Sequence, residues 1–245
     1  MSRTKGSRNA DYGATRARLL ARVRQRLVEE GGATASFREL AEAAGVSVPT
    51  LRHYFATREE LLIEALAAMN RDGLPYLHAV AAGELGPLET SLRWLVRALA
   101  EGWRRGVGRI HAFGLTAGMD HAELGPAYLD EILEPTLQAA EARLARHVAR
   151  GDLPRCDLRL AALELLGPVV LALLHQGPLG GTRCRPLDVD ALVEEHLHRF
   201  LRAYAADRGP GPGLETPPAT PRIGGPIGRP RRPPRRRRRL ARSRS

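Results

Sequence analysis

The stretch SFRELAEAAGVSVPTLRHYFATREELLIEAL, residues 36–66, decides how the front of this 245-residue chain folds. Ser36 followed by Glu39 is a capping-box pattern. The serine oxygen takes the amide of the third helical residue, and the glutamate reaches back to the serine amide, so two donors left open at a helix start are satisfied together. Phe37, Leu40, Ala41 and Ala44 recur at i, i+3, i+4 and i+7 and give the helix one apolar face. Gly45 ends it, because glycine enters the left-handed backbone of a helix stop at little cost. Ser47 caps a second helix, whose first turn accepts Pro49 because an amide there has no acceptor within the helix. That helix runs to about Phe55. Thr57 with Glu60 repeats the capping pattern, and Leu61, Leu62, Ala65, Leu66 and Met69 line one face of the next helix.

Only Gly45-Val46-Ser47 separates the two helices of residues 36–55. Ala41 is small where the pair must approach closely, and Leu51 is placed as the buried contact of the second helix. So tight a pair is a helix-turn-helix, a unit able to lay its second helix in the major groove of DNA. Upstream, Leu19, Leu20, Val23, Leu27 and Val28 recur at helical spacing among Arg16, Arg18, Arg22, Arg24 and Arg26, and Gly31-Gly32 stops that helix. Order is expected to begin near Thr15, with residues 1–14 (Arg3, Lys5, Arg8) a flexible basic arm. A DNA-binding domain is therefore expected over residues 15–70.

Downstream, helical patterns continue over about 87–103, 109–115, 126–150, 157–176 and 188–206, with no convincing strand, and Pro135 should start a helical turn or kink the helix around it. The chain reads as all-α, with a larger helical domain over residues 71–206 behind the small one. From Gly209 onward it is Pro, Gly and Arg with almost no apolar residue, so residues 207–245 are expected to be a disordered basic tail. The net charge of +11 divides unevenly along the chain: residues 208–245 hold twelve arginines against one acid, and residues 1–207 are neutral. Within that neutral part residues 1–58 carry +6 and residues 59–207 carry −6, so the body has a basic front.

Other classes find little support. Cys156 and Cys184 stand 28 positions apart, which fits neither a disulfide framework nor a metal spacing. His111, Asp120, His121 and Glu123 cluster without any HxxxH pattern, so no metal and no cofactor is expected. Nucleophile elbows, phosphate-binding loops and dinucleotide fingerprints are absent, which argues against an enzyme. The opening MSRTKGSRNADYG lacks the apolar run of a secretory signal, and a cytoplasmic protein is expected. The apolar run Leu158–Leu174 is interrupted by Arg159, Glu164 and Gly167-Pro168 and falls short of the roughly 20 residues a bilayer needs, so it reads as a buried helix and no membrane partner is expected.

Residues 36–66 closely resemble the DNA-binding domain of the TetR family of repressors. The resemblance is specific over about residues 15–70, extends to the remaining helices only as architecture, and excludes the tail. It implies that the helix after Ser47 enters the major groove and that the C-terminal domain dimerises and binds a small effector. Carried over position by position, Ser36, Arg38, Ser47, Thr50, His53, Tyr54 and Arg58 match the family's DNA-binding positions. Thr50, His53 and Val48 can then meet base edges, and Ser47, Tyr54, Arg38 and Arg58 hold phosphates. Val48 stands where lysine is common, Pro49 where glycine is, and Arg52 where tyrosine is. Arg52 can replace the tyrosine's phosphate contact or reach a guanine bidentately.

For the effector, the candidates are Trp94, Leu95, Trp103, His111, Phe113, Met119 and Tyr128, aromatic or apolar groups on the middle helices. For the homodimer, the stripe Leu192, Val193, His196, Leu197, Phe200, Leu201 and Tyr204 predicts an interface helix that would pair with segment 160–174. The expected partners are operator DNA, a second copy and a small molecule. The alternative is a sequence-independent nucleic-acid binder dominated by its arginine tail.

Overall fold

In the computed structural model, which describes residues 5–206, all regular structure among the described residues is helical. The arginine tail and the first four residues lie outside them. Helix α1 (Lys5–Leu27) begins ten residues before Thr15, so the described part of the expected arm is helical. The ring of Tyr12 accounts for the extension at its own level: it stacks on Tyr54 at 4.8 Å and meets His53 edge-on at 5.8 Å. A short 3-10 turn (Gly32–Thr34) follows Gly31, which takes a φ of 71°.

Helix α2 (Phe37–Ala44) starts with the capping box as expected. The Glu39 amide donates to Ser36 Oγ at 3.2 Å, and the Ser36 amide donates to Glu39 Oε2 at 2.7 Å. Gly45 closes it at φ 73°, and α3 (Val48–Tyr54) opens on Ser47, whose Oγ accepts the Thr50 amide at 3.2 Å. Helix α4 (Arg58–Ala82) opens on Thr57, whose hydroxyl oxygen accepts the Glu60 amide at 3.1 Å. It runs for 25 residues, about 37 Å at 1.5 Å per residue, straight through the boundary expected at residue 70 and through Pro75. Its two halves are held by different cores: Leu61, Leu62, Ala65 and Leu66 pack with α1, α2 and α3, whereas Val80 packs with the helices that follow.

Those are α5 (Leu88–Gly102), α6 (Gly108–Asp120), α7 (Leu124–Tyr128), α8 (Glu134–Arg150), α9 (Leu158–Gln176), α10 (Gly181–Cys184) and α11 (Val189–Ala206). Two π turns interrupt the series, Trp103–Val107 before α6 and Leu129–Leu133 before α8, and Pro135 stands at the second residue of α8, directly after the second of them. The first core also takes in Phe113, Ala117, Leu124 and Tyr128, so α6 and α7 pack into the small domain itself. The second core joins α5, α8, α9 and α11. At its edge Arg143 is buried, donating to Ser91 Oγ at 2.8 Å, Val80 O at 3.0 Å and Glu84 O at 2.9 Å, with its guanidinium 4.8 Å over the Trp94 ring.

Two expectations change. Val193, Leu197 and Phe200 of α11 are buried in the second core of their own chain, so this part of the stripe is internal packing and not a free interface. Helix α9, expected to be buried, is covered on one side only: Ala161, Leu165, Leu166 and Val169 face the core, while Leu160, Leu163 and Leu171 are exposed, Leu171 by 66%. At 19 residues α9 is also long and apolar enough to cross a membrane, yet its inner face is committed to the second core.

Candidate nucleic-acid interface and effector cavity

Helix α3 is fixed from behind. Leu51 and Phe55 are fully buried in the first core, and Arg16 of α1 donates its Nε to Tyr54 O at 3.2 Å, lies 4.6 Å over the Phe55 ring and pairs with Glu64 of α4. This backing leaves Pro49, Thr50, Arg52 and His53 exposed together on the opposite face, with Val48 and Tyr54 half-buried at its margins. The ten residues expected to meet DNA therefore do not form one equivalent set.

Arg38 is exposed and paired only along its own helix, with Glu42 at 3.0 Å, so little holds it back from an incoming phosphate. The Ser36 and Ser47 oxygens cap their helices and keep the adjoining amides in place. Arg58 is turned inward: its Nε donates to Ala35 O and its Nη2 to Ala33 O, both at 2.9 Å. It pins the turn in front of α2, a structural engagement of two of its donors that the phosphate role expected for it did not include. Arg52 sits 5.8 Å from the Phe37 ring with its side chain exposed. Tyr12 and Arg16, which the sequence reading did not single out, buttress α3 from α1. Neither breaks the helical pattern of α1, so nothing in the sequence alone marks them.

The effector candidates separate as well. Met119 is 80% exposed and Trp94 lies on the outer face of α5 against Arg143, so neither lines a common site with the others. Leu95 belongs to the second core. Trp103, His111 and Tyr128 do come together: the Trp103 and His111 rings stack at 5.0 Å, and His111 Nδ1 lies 2.7 Å from the Tyr128 hydroxyl. Gly114 makes this possible, since a Cβ there would fall 2.1 Å from the Tyr128 ring. Burial pushes the His111 pKa down to about 4 and the Tyr128 pKa up to about 12, so at neutral pH the pair is uncharged.

Two hollows flank this array. An open cleft of about 880 Å³ runs between the end of α1 and helices α6 and α9; Trp103 and Phe113 line it with charges of both signs, Glu29, Glu30, Arg104, Arg109 and Asp188. A smaller cavity of about 110 Å³ lies among α4, α5, α6, the second π turn and α8, and His111, Tyr76, Asn70 and Glu131 line it with apolar neighbours. Asn70, Tyr76 and Glu131 escaped the sequence reading, and for Glu131 the reason is physical. A π turn inserts an extra residue into the helical register, so a 3.6-residue period cannot say which of residues 129–133 points inward.

Residues 19–65 match the family profile described as bacterial regulatory proteins, tetR family, and residues 82–196 match the profile described as tetracyclin repressor-like, C-terminal domain. The HTH-type transcriptional regulator PksA of Bacillus subtilis is 36% identical over 70 residues, which are 29% of this chain and about a third, 34%, of that protein. A TetR-family transcriptional regulator from Mesorhizobium loti aligns with a TM-score of 0.64 and 20% identity over 80% of this chain and 96% of its own. The regulator FadR from Bacillus subtilis, in complex with stearoyl-CoA, aligns with a TM-score of 0.58 and 16% identity over 76% of this chain and 97% of its own. At these identities the solved structures share the fold.

Proposed function

Because the chain belongs to the TetR family of transcriptional regulators, we propose that it binds a palindromic operator as a homodimer and that a small molecule among the C-terminal helices changes that affinity, most simply as a released repressor. The observation that carries the reading is the face of α3. Pro49, Thr50, Arg52 and His53 stand exposed on a two-turn helix whose other side is locked by Leu51 and Phe55. A face so held keeps its side chains in register with base edges instead of searching for them on binding. Thr50 and His53 read bases, Val48 supports them, and Arg52 and Arg38 add guanidinium contacts to a guanine or to phosphate. The helix starts at Ser36 and Ser47 aim backbone amides at phosphate. The dimer forms through the uncovered face of α9, where Leu160, Leu163 and Leu171 border the small residues Gly167 and Pro168. A regulator of this kind works in the cytoplasm on chromosomal DNA.

The test is nuclease protection of the DNA upstream of the gene by the purified full-length chain. A footprint of two half-sites about one helical turn apart is expected. Arg52→Ala with His53→Ala should abolish that footprint while the melting temperature stays within a few degrees of the parent's, since both side chains are exposed. Binding without preference among duplexes, with a steep salt dependence, would instead favour a sequence-independent nucleic-acid binder.

A further inference from the structure

We infer that Tyr12 of α1 sets part of the operator specificity of α3, by fixing the direction in which the His53 ring meets a base edge. A side chain outside the helix-turn-helix then decides some of what that motif reads. The inference rests on the assignment of His53 to base reading under the proposed function, and adds the positioning residue through which His53 works.

The α3 backbone does not need Tyr12. Leu51 and Phe55 anchor it in the first core, and Arg16 holds the Tyr54 carbonyl. Tyr12 itself is exposed and belongs to neither core. Its ring meets the rings of His53 and Tyr54. Tyr12 and Arg16 lie four residues apart, on one face of α1, and divide the work: the guanidinium takes the backbone of α3, and the phenol ring takes its side chains.

His53 has little support of its own. It is exposed, and among the described residues no hydrogen bond or ion pair holds either imidazole nitrogen. What orients the ring is a pair of near-perpendicular contacts, with Tyr12 at 5.8 Å and 87° and with Tyr54 at 5.2 Å and 78°. In such edge-to-face pairs the positive rim of one ring meets the negative face of the other, and each pair biases orientation by roughly two- to tenfold. Tyr54 depends on Tyr12 in turn, since the two stack at 4.8 Å with their planes 29° apart. Removing Tyr12 therefore takes one support from His53 directly and loosens the other. With both in place the imidazole nitrogens stay free for a base edge, and the entropy of ordering the ring is lost before DNA arrives instead of on binding.

The experiment titrates the full chain by fluorescence anisotropy against its footprinted operator and against duplexes in which one base pair of each half-site is changed in turn. His53→Ala should level discrimination at one base pair of the half-site. Tyr12→Ala should weaken discrimination at that same pair by about fivefold and leave the other positions within about twofold of the parent. Tyr12→Leu, which keeps apolar bulk without the aromatic quadrupole, should repeat this loss, whereas Tyr12→Phe should match the parent. In the His53→Ala background, Tyr12→Ala should change nothing further at that pair. Melting temperatures should stay within a few degrees of the parent's, since both side chains are exposed. An unaltered discrimination profile, an equal loss on every duplex, or a Tyr12→Phe as damaging as Tyr12→Ala overturns the inference; the last would assign the effect to the hydroxyl. If the parent protects an operator but His53→Ala leaves its discrimination intact, this inference falls and the regulatory reading stands. A parent chain that selects no operator removes the regulatory reading itself.

Discussion

At residue scale, Arg58 and His111 show where chemistry read from sequence parts from chemistry in place. A basic residue opening α4 beside a DNA-reading helix looks like a phosphate ligand, but two of its five N–H donors are taken by the carbonyls of Ala33 and Ala35. Which way such a side chain swings depends on how the turn at 32–34 curls, and that curl is set by packing that residues 58–60 do not encode. Arg58→Ala should therefore destabilise the fold by about 2–3 kcal/mol in denaturant unfolding, through loss of two charge-assisted bonds. Arg38→Ala, at an exposed residue, should leave stability within about 0.5 kcal/mol and weaken DNA binding only. His111 was singled out from the sequence as an effector candidate; its ring lines the smaller cavity, and its burial was not legible. With a folded pKa near 4 against an ordinary 6.5, the native state binds fewer protons than the unfolded chain between those values. Stability is thus greatest above pH 6.5 and falls as pH drops towards 4, by about 3 kcal/mol from this group. Burial also lowers the pKa of His147, against the pull of Asp152, and adds in the same direction. Urea unfolding at pH 7 and pH 4.5, with and without His111→Phe, checks this: the variant should lose less stability on acidification than the parent.

At the scale of elements, the helix-turn-helix was readable almost residue for residue, because its signals are local. Both capping serines, the left-handed Gly45 and the buried Leu51 act within one or two turns of their own positions. Helices α9 and α11 were readable as helices but not as to what covers them. A stripe such as Val193, Leu197 and Phe200 has the same spacing whether its partner is the same chain or another, and the structure gives it to α5 and α9 of its own chain. In α9 apolar residues surround the axis, so no period distinguishes Leu165 inside from Leu171 outside. The uncovered side then makes a prediction. Leu163→Glu with Leu171→Glu should leave helicity by circular dichroism unchanged, shift sedimentation from dimer to monomer at micromolar concentration, and weaken operator binding in parallel.

At the scale of the whole molecule, α4 is the shared part, with its front half in one core and Val80 in the other, while within the first core Arg109 of α6 donates to Val28 O at the end of α1 at 3.1 Å. Asn70, Gly73 and Tyr76 of α4 line the smaller cavity, so a ligand bound there would press on the helix whose front half packs behind α3. Charge is distributed on the same scale: the front is basic, the body acidic, and the twelve arginines beyond residue 207 lie outside the described residues. A chain ending at Ala206 should bind the operator with a shallower dependence on salt than the full chain, because each phosphate neutralised contributes a slope of about −0.9 in a double-logarithmic plot. An unchanged slope would assign the tail no part in binding. The seven residues of α3 carry a consequence for the target sequence. A helix that short spans about 10 Å, roughly three rungs of the duplex at 3.4 Å each. On the dimer proposed above, each arm of the operator would offer one α3 only a brief word, and the letters between the arms would count through how readily they bend.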